Sequence, residues 1–348
     1  MIIFIKTQRK GTAANSFFEE IIKKCDKSHQ TLEEYNKNLG PFFKLIRKIH
    51  TIKSDNDNEY IIFNDFGFVK NLILLFIVKV PLEKIKIYTT FYHHIFNIRE
   101  CFIFFQLNEF WKLISLKFYP FFKRNIITKN IKFITVSEFT KNNMIDNFSI
   151  DKNKILVLWN QIIAKDIINT ISAKNNLQEE EPYILIISTL LKRKNVSLIE
   201  KISYIYGKKI KFVCPLPKKI YSKRKLNIIK KNKVQIFHDL SYKQMKSLYL
   251  NSSCILIPSK YEGLSLVPLE GIHFSKPIVM SKISPHLYWK LPNRFYFDLY
   301  NYKDLLIKLN FYLSQEKLFI DYSTFKKFNY IFYSAQKERN NNLSRIYN

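Results

Sequence analysis

Two glutamates eight positions apart, Glu262 and Glu270, each precede a glycine in a chain that has only six glycines. They lie in YEGLSLVPLEGIHFSKPIV, residues 261–279. An apolar run, CILIPS at 254–259, comes just before and reads as a strand. Pro268 suits the first turn of a new helix. Glu262 then falls on a loop at the carboxyl end of a strand, and Glu270 in the first helical turn. Gly263 permits a loop that bares its amides, and a helix N-terminus favours an anion. Ionised carboxylates are also strong acceptors for sugar hydroxyls. The plainer readings are a helix-dipole partner for Glu270 and a solvated side chain for Glu262.

A second segment, STLLKRKNVSLIE at 188–200, follows another strand-like run and leads into a helix. Arg193 and Lys194 stand at the junction, where a guanidinium fork and an ammonium point charge suit a diphosphate. A solvated basic face is the alternative. In TTFYHHIF, His93 and His94 end a strand in the first half of the chain. Adjacent residues of an extended chain point to opposite sides, so one of the two faces a cleft. Asp55 and Asp57, in SDNDN, precede a strand rather than follow it, and read as a turn. FFQLNEFWKLISLKFYPFFKR at 104–124 interleaves aromatics with Lys and Arg. It reads either as a core helix or as a face resting on an anionic membrane.

These residues need strands to carry them. MIIFIK opens as a buried strand, and further strands are expected at 59–65, 84–92, 131–137 and 154–160. Helical spacing fills the intervals, with Ser137 as a helix cap. A polar stretch at 162–181 reads as a linker. Alternation then restarts, with strands at 183–189, 209–214, 234–240, 254–259 and 277–281, and Ser241 capping an amphipathic helix. The expected class is α/β with two halves: residues 1–165, residues 166–330, and a tail at 331–348 that either packs back on the first half as a helix or is partly disordered. In open sheets of this kind, ligands bind outside the carboxyl ends of the strands.

The 348 residues carry a formal net charge of +29, with 47% hydrophobic and 16% aromatic residues. Such charge fits nucleic acid, anionic lipid or phosphorylated small molecules. The chain is also rich in Lys, Ile, Asn, Phe and Tyr and poor in Gly, Ala, Pro and Arg, a bias that spreads lysine everywhere. No RRM, zinc-finger or KH pattern is present, so no specific nucleic-acid partner is expected. Cys25, Cys101, Cys214 and Cys254 lie far apart and read as reduced thiols, without a zinc site. MIIFIKTQ is too short for a signal peptide, and the apolar run LILLFIV is below the roughly 18 residues of a spanning helix. A cytoplasmic protein, peripheral on the membrane at most, is expected.

Taken together and in order, the motifs resemble retaining glycosyltransferases of family 4, which have the GT-B fold of two Rossmann-like domains facing a central cleft. PSKYEGLSLVPLEGIHFSKPIVMS is similar to that family's PSxYEGFGLPxLEAMAxGxPVxxS, with Glu262 and Glu270 as its E-x7-E pair. YILIISTLLKRKNV resembles YxLxVGTLxPRKNL. FITVSEFTKNNM and ILVLWNQI resemble xxTVSEFSxxxL and IxVIPNGV, and the region of His93 resembles HDLxxLxxPEWF. The RKN and HHIF variants look closest to mannosyl- and rhamnosyltransferases of bacterial surface polysaccharides.

The resemblance implies transfer of a hexose, with retention, from a GDP- or UDP-sugar to a saccharide or lipid-linked acceptor, without a cofactor or an obligatory metal. Arg193 and Lys194 would bind the donor diphosphate, with Gly263, Leu264 and Ser265 alongside and Leu266 near. Glu262 would take the sugar's hydroxyls and Glu270 the ribose. His93, or alternatively His94, would sit by the anomeric carbon, and Gly11 would lie on a donor-facing loop. Departures from the family pattern are Ser188 and Ser265 in place of glycines, Gly271 in place of alanine, and His94 in place of aspartate. Alternatives are a sugar-nucleotide epimerase of the same architecture, an inactive sugar-nucleotide binder, or a basic nucleic-acid-binding protein.

Overall fold

The computed structural model describes chiefly residues 2–6, 21–23, 29–33, 59–64, 82–91, 116–122, 129–158, 181–214, 230–315 and 318–347. The chain divides into two units. One comprises Met1–Asn160 with Ala335–Asn348, the other Gln161–Ser334. The first unit holds β1 (Ile2–Lys6), β2 (His29–Glu33), β3 (Glu59–Asn64), β4 (Ile85–Phe91), β5 (Ile131–Thr135) and β6 (Ile155–Val157). They form one sheet in the order β2-β1-β3-β4-β5-β6, and every pair is parallel.

Strands such as IIFIK and YIIFN are apolar on both faces, which is what a covered parallel sheet requires. Phe4 stacks on Phe63 at 5.9 Å, within a core that includes Ile61, Tyr88, Ile134 and Leu156. A short helix α1 (Tyr119–Phe122) precedes β5. Helix α2 (Glu138–Phe148) starts at Ser137, whose hydroxyl accepts from the Thr140 amide at 3.2 Å, as its sequence position predicts. Of the 104–124 segment, only residues 114 and 116–122 are described, and Asp55 and Asp57 lie outside the described residues.

The second unit holds β7 (Ile184–Ile187), β8 (Ile210–Cys214), β9 (Gln235–His238), β10 (Cys254–Ile257), β11 (Ile278–Ser281) and β12 (Tyr296–Phe297). Read from its far edge, the parallel order is β9-β8-β7-β10-β11-β12. By order within the unit this is 3-2-1-4-5-6, the dinucleotide-fold arrangement, whose ligand crevice lies outside the carboxyl ends of the first and fourth strands, where the strand order reverses. Helix α3 (Val196–Tyr206) follows β7, α4 (Tyr242–Asn251) precedes β10, and α5 (Val267–His273) and α6 (Ser284–Leu287) follow β10 and β11. Ser241 and Gln244 form a full capping box at the start of α4. Two further helices, α7 (Tyr302–Ser314) and α8 (Lys326–Tyr347), complete the chain.

Leu343 and Ile346, near the end of α8, are buried in the first unit's core, and the Asn342 side-chain amide donates to the Val157 carbonyl at 3.0 Å. Among the described helices, none is long and apolar enough to cross a membrane. Cys25, Cys214 and Cys254 are buried.

Candidate active site

Strand order sends the segments after β7 and β10 to the switch point of the second sheet, and there the charges named from sequence meet. After β7 the chain makes a single 3-10 turn, Lys192–Lys194, ending on Asn195 in the left-handed region (φ 58), and then enters α3. That turn delivers Arg193 and Lys194. After β10, Ser259 and Glu262 lie on the loop toward α5. The two loops are joined through the backbone, the Lys260 amide donating to the Arg193 carbonyl at 2.8 Å.

Glu262 is 3% exposed and Arg193 5%. Arg193 Nη1 donates to Glu262 Oε2 at 3.1 Å, Lys194 Nζ donates to Oε1, and Ser259 Oγ donates to Oε1 at 2.7 Å. Burial by itself would raise the Glu262 carboxyl. Lys194, Arg193 and the Lys194 and Ser259 hydrogen bonds outweigh it and hold the group down at about 2. Lys194 is pushed below the ordinary lysine range by burial and by its Arg193 neighbour, with Glu262 acting the other way. Two cations thus share one carboxylate. A carboxylate offers about four lone-pair positions. Three are taken, so Glu262 has room for about one more donor, on Oε2.

Glu270 lies in the first turn of α5 and is partly exposed. The Tyr249 hydroxyl, from α4, donates to its Oε2, and the Tyr249 ring stacks on Phe274 at 4.7 Å. Burial raises the Glu270 carboxyl, and the Tyr249 hydrogen bond works against that. One carboxylate oxygen is thereby committed to Tyr249. Between the glutamates, Leu264 and Leu266 are half-buried while Gly263 and Ser265 are buried. Ser265 Oγ has no hydrogen-bond partner among the described residues. Ser188 is buried, its amide donating to the Val213 carbonyl at 3.0 Å and its hydroxyl to the Thr189 carbonyl.

Gly263 does not use the left-handed conformation its residue type allows. Among the described glycines, only Gly207 has positive φ, at +40°. Gly271 is inside α5 for lack of space: a Cβ there would stand 2.8 Å from Ile255 Cδ1 and 2.9 Å from Ile278 Cγ1. Helix α5 packs directly on β10 and β11 at this point. Gly11, His93 and His94 lie outside the described residues. Among the described residues, no three His, Cys, Asp or Glu side chains converge to hold a metal ion.

Sequence reasoning missed three side chains of this neighbourhood: Tyr249, Ser259 and His286. Only Ser259, three residues before Glu262, had a positional signal.

Two Rossmann-like parallel-sheet units define the GT-B class, and comparison with known proteins agrees. Residues 167–327 match the family model described as glycosyl transferases group 1. The chain is 23% identical over 154 residues to the O-antigen chain mannosyltransferase RfbU of Salmonella typhimurium strain LT2, a match covering 43% of this chain and 42% of that one. It therefore spans less than half the length of this curated relative. Solved structures with the same fold include a Rickettsia africae glycosyltransferase, at TM-score 0.58 and 18% identity, covering 98% of this chain and 93% of the other. Anabaena Alr3699/HepE in complex with UDP and glucose superposes with TM-score 0.60 at 14% identity, covering 100% and 97%.

Proposed function

We propose that the protein is a retaining glycosyltransferase that moves a hexose from a nucleoside diphosphate sugar to a saccharide or lipid-linked acceptor in surface-polysaccharide synthesis. The observation that carries this reading is the Arg193–Lys194–Glu262 cluster, in which two cations meet one carboxylate at the switch point of a dinucleotide-type sheet. The similarity to RfbU, an O-antigen chain mannosyltransferase, supports the acceptor class.

In transfer, the acceptor oxygen bonds to the anomeric carbon and the bond from that carbon to the phosphate oxygen breaks. The electron pair departs on the nucleoside diphosphate, whose released phosphate oxygen takes up the proton that the acceptor hydroxyl loses. Arg193 and Lys194 would meet that charge, already oriented by Glu262 and needing no reorganisation at the moment of reaction. Glu262 would offer its remaining lone pair to one hydroxyl of the donor sugar. Glu270 would accept from the ribose hydroxyls through the oxygen that Tyr249 leaves. By the family resemblance, His93 or His94 would sit by the anomeric carbon and Gly11 on a donor-facing loop.

A melting-temperature panel of UDP-, GDP-, dTDP- and ADP-sugars tests the reading, because a ligand of the native state raises stability by mass action. One donor class is expected to shift the wild type. Lys194→Ala and Glu262→Ala are expected to lower transfer from that donor by at least about a hundredfold, the order seen when one preorganised charge donor is lost. Full transfer by both variants sinks these assignments. Epimerised donor formed without an acceptor would make the protein an epimerase instead.

A further inference from the structure

His286 is fully buried on α6, yet it lies close enough to Glu262 and Lys194 to feel both charges. Its Nδ1 is 2.8 Å from the Ser281 carbonyl at the end of β11. A carbonyl only accepts, so Nδ1 carries the proton and donates. Ser281 Oγ donates in turn to the Ser259 carbonyl, and Ser259 Oγ donates to Glu262 Oε1 at 2.7 Å. Three hydrogen bonds therefore connect the imidazole on α6 to the carboxylate beyond β10, crossing the ends of two adjacent strands.

We infer that His286 is a positioning residue: with Ser281 and Ser259 it forms a hydrogen-bonded strut that fixes the Glu262 carboxylate, and through it Arg193 and Lys194, in the geometry that receives the donor diphosphate. The inference rests on the donor-site reading above. A strut of this kind needs a neutral, donating imidazole. Burial lowers the His286 pKa to about 4, with Lys194 adding to that effect and Glu262 and the Ser281 hydrogen bond opposing it. A charged imidazole there would compete with Lys194 and Arg193 for Glu262, whereas the neutral ring leaves the carboxylate to the cations. Ser259 is buried as well, so water does not supply a ready substitute for a lost link.

The test uses the full chain and whichever of UDP, GDP, ADP or dTDP raises the wild-type melting temperature most, with affinity measured by calorimetry. His286→Ala is expected to weaken binding about tenfold. His286→Asn places an amide N–H where Nδ1–H was and is expected to bind within about twofold of wild type. Ser281→Ala removes the next link and is expected to match His286→Ala. The double variant is expected to be no weaker than either single, because links of one strut are not additive.

Wild-type affinity in His286→Ala, no rescue by His286→Asn, or losses that multiply in the double variant would each overturn the strut. Glu262→Ala, measured alongside, separates the two levels of the argument. If it binds as wild type does, or if no nucleotide shifts the wild type, the donor-site reading falls and the strut with it. Weak binding by Glu262→Ala beside intact binding by His286→Ala removes the strut alone.

Discussion

Glu262 answers to one buried and one half-buried cation, so its ionisation is also a matter of stability. A carboxyl held at about 2 against an ordinary 4.5 contributes about 3 kcal/mol, at about 1.4 kcal/mol per pH unit. The sign follows from the depressed value. The contribution is complete above pH 4.5 and is lost as pH falls toward 2. Urea unfolding from pH 7 down to pH 2.5 should therefore show wild-type stability falling more steeply than that of Glu262→Gln below pH 4.5. Coincident acid slopes would mean that the carboxylate gains nothing from its partners. Arg193, Lys194 and Glu262 were legible in the sequence because each sits at a strand end inside a recognisable motif. Tyr249, Ser259 and His286 were not, because their meaning comes from partners distant in the chain. Tyr249 lies 21 residues before Glu270 on an amphipathic helix where a tyrosine is already explained as core.

At the scale of elements, α5 is tied to the sheet by an absent side chain. Gly271→Ala places a methyl against Ile255 and Ile278, and overpacking of this kind costs about 1–3 kcal/mol. The melting temperature of Gly271→Ala should fall. Ile255→Val removes Cδ1, the nearer obstacle, so the double variant should be more stable than the two single losses added together. Strict additivity would show that the contact is not the reason for the glycine. The same reliance on apolar runs explains which strands were readable. Runs such as YIIFN, YILII and CILI announced themselves. β2 did not, since HQTLE has no apolar run and pairs only with β1 at the sheet edge. β12 is two residues long and too short to carry a period.

At the scale of the whole molecule, the first unit is built from two pieces of chain separated by the second. Removing residues 335–348 takes Leu343 and Ile346 from its core and the Asn342 hydrogen bond from Val157. Each buried aliphatic is worth about 2–5 kcal/mol. Calorimetry of the truncated chain should show the first unit melting far lower, or unfolded from the start, with the second unit's transition in place. An unchanged first transition would make the terminal segment dispensable.

The same arrangement governs the order of events on the ribosome. The first unit's described strands are synthesised by residue 157, but core side chains that pack on them arrive only with the end of α8. At about 5–20 residues per second, the first sheet waits roughly 10–40 s for them while the second unit is made.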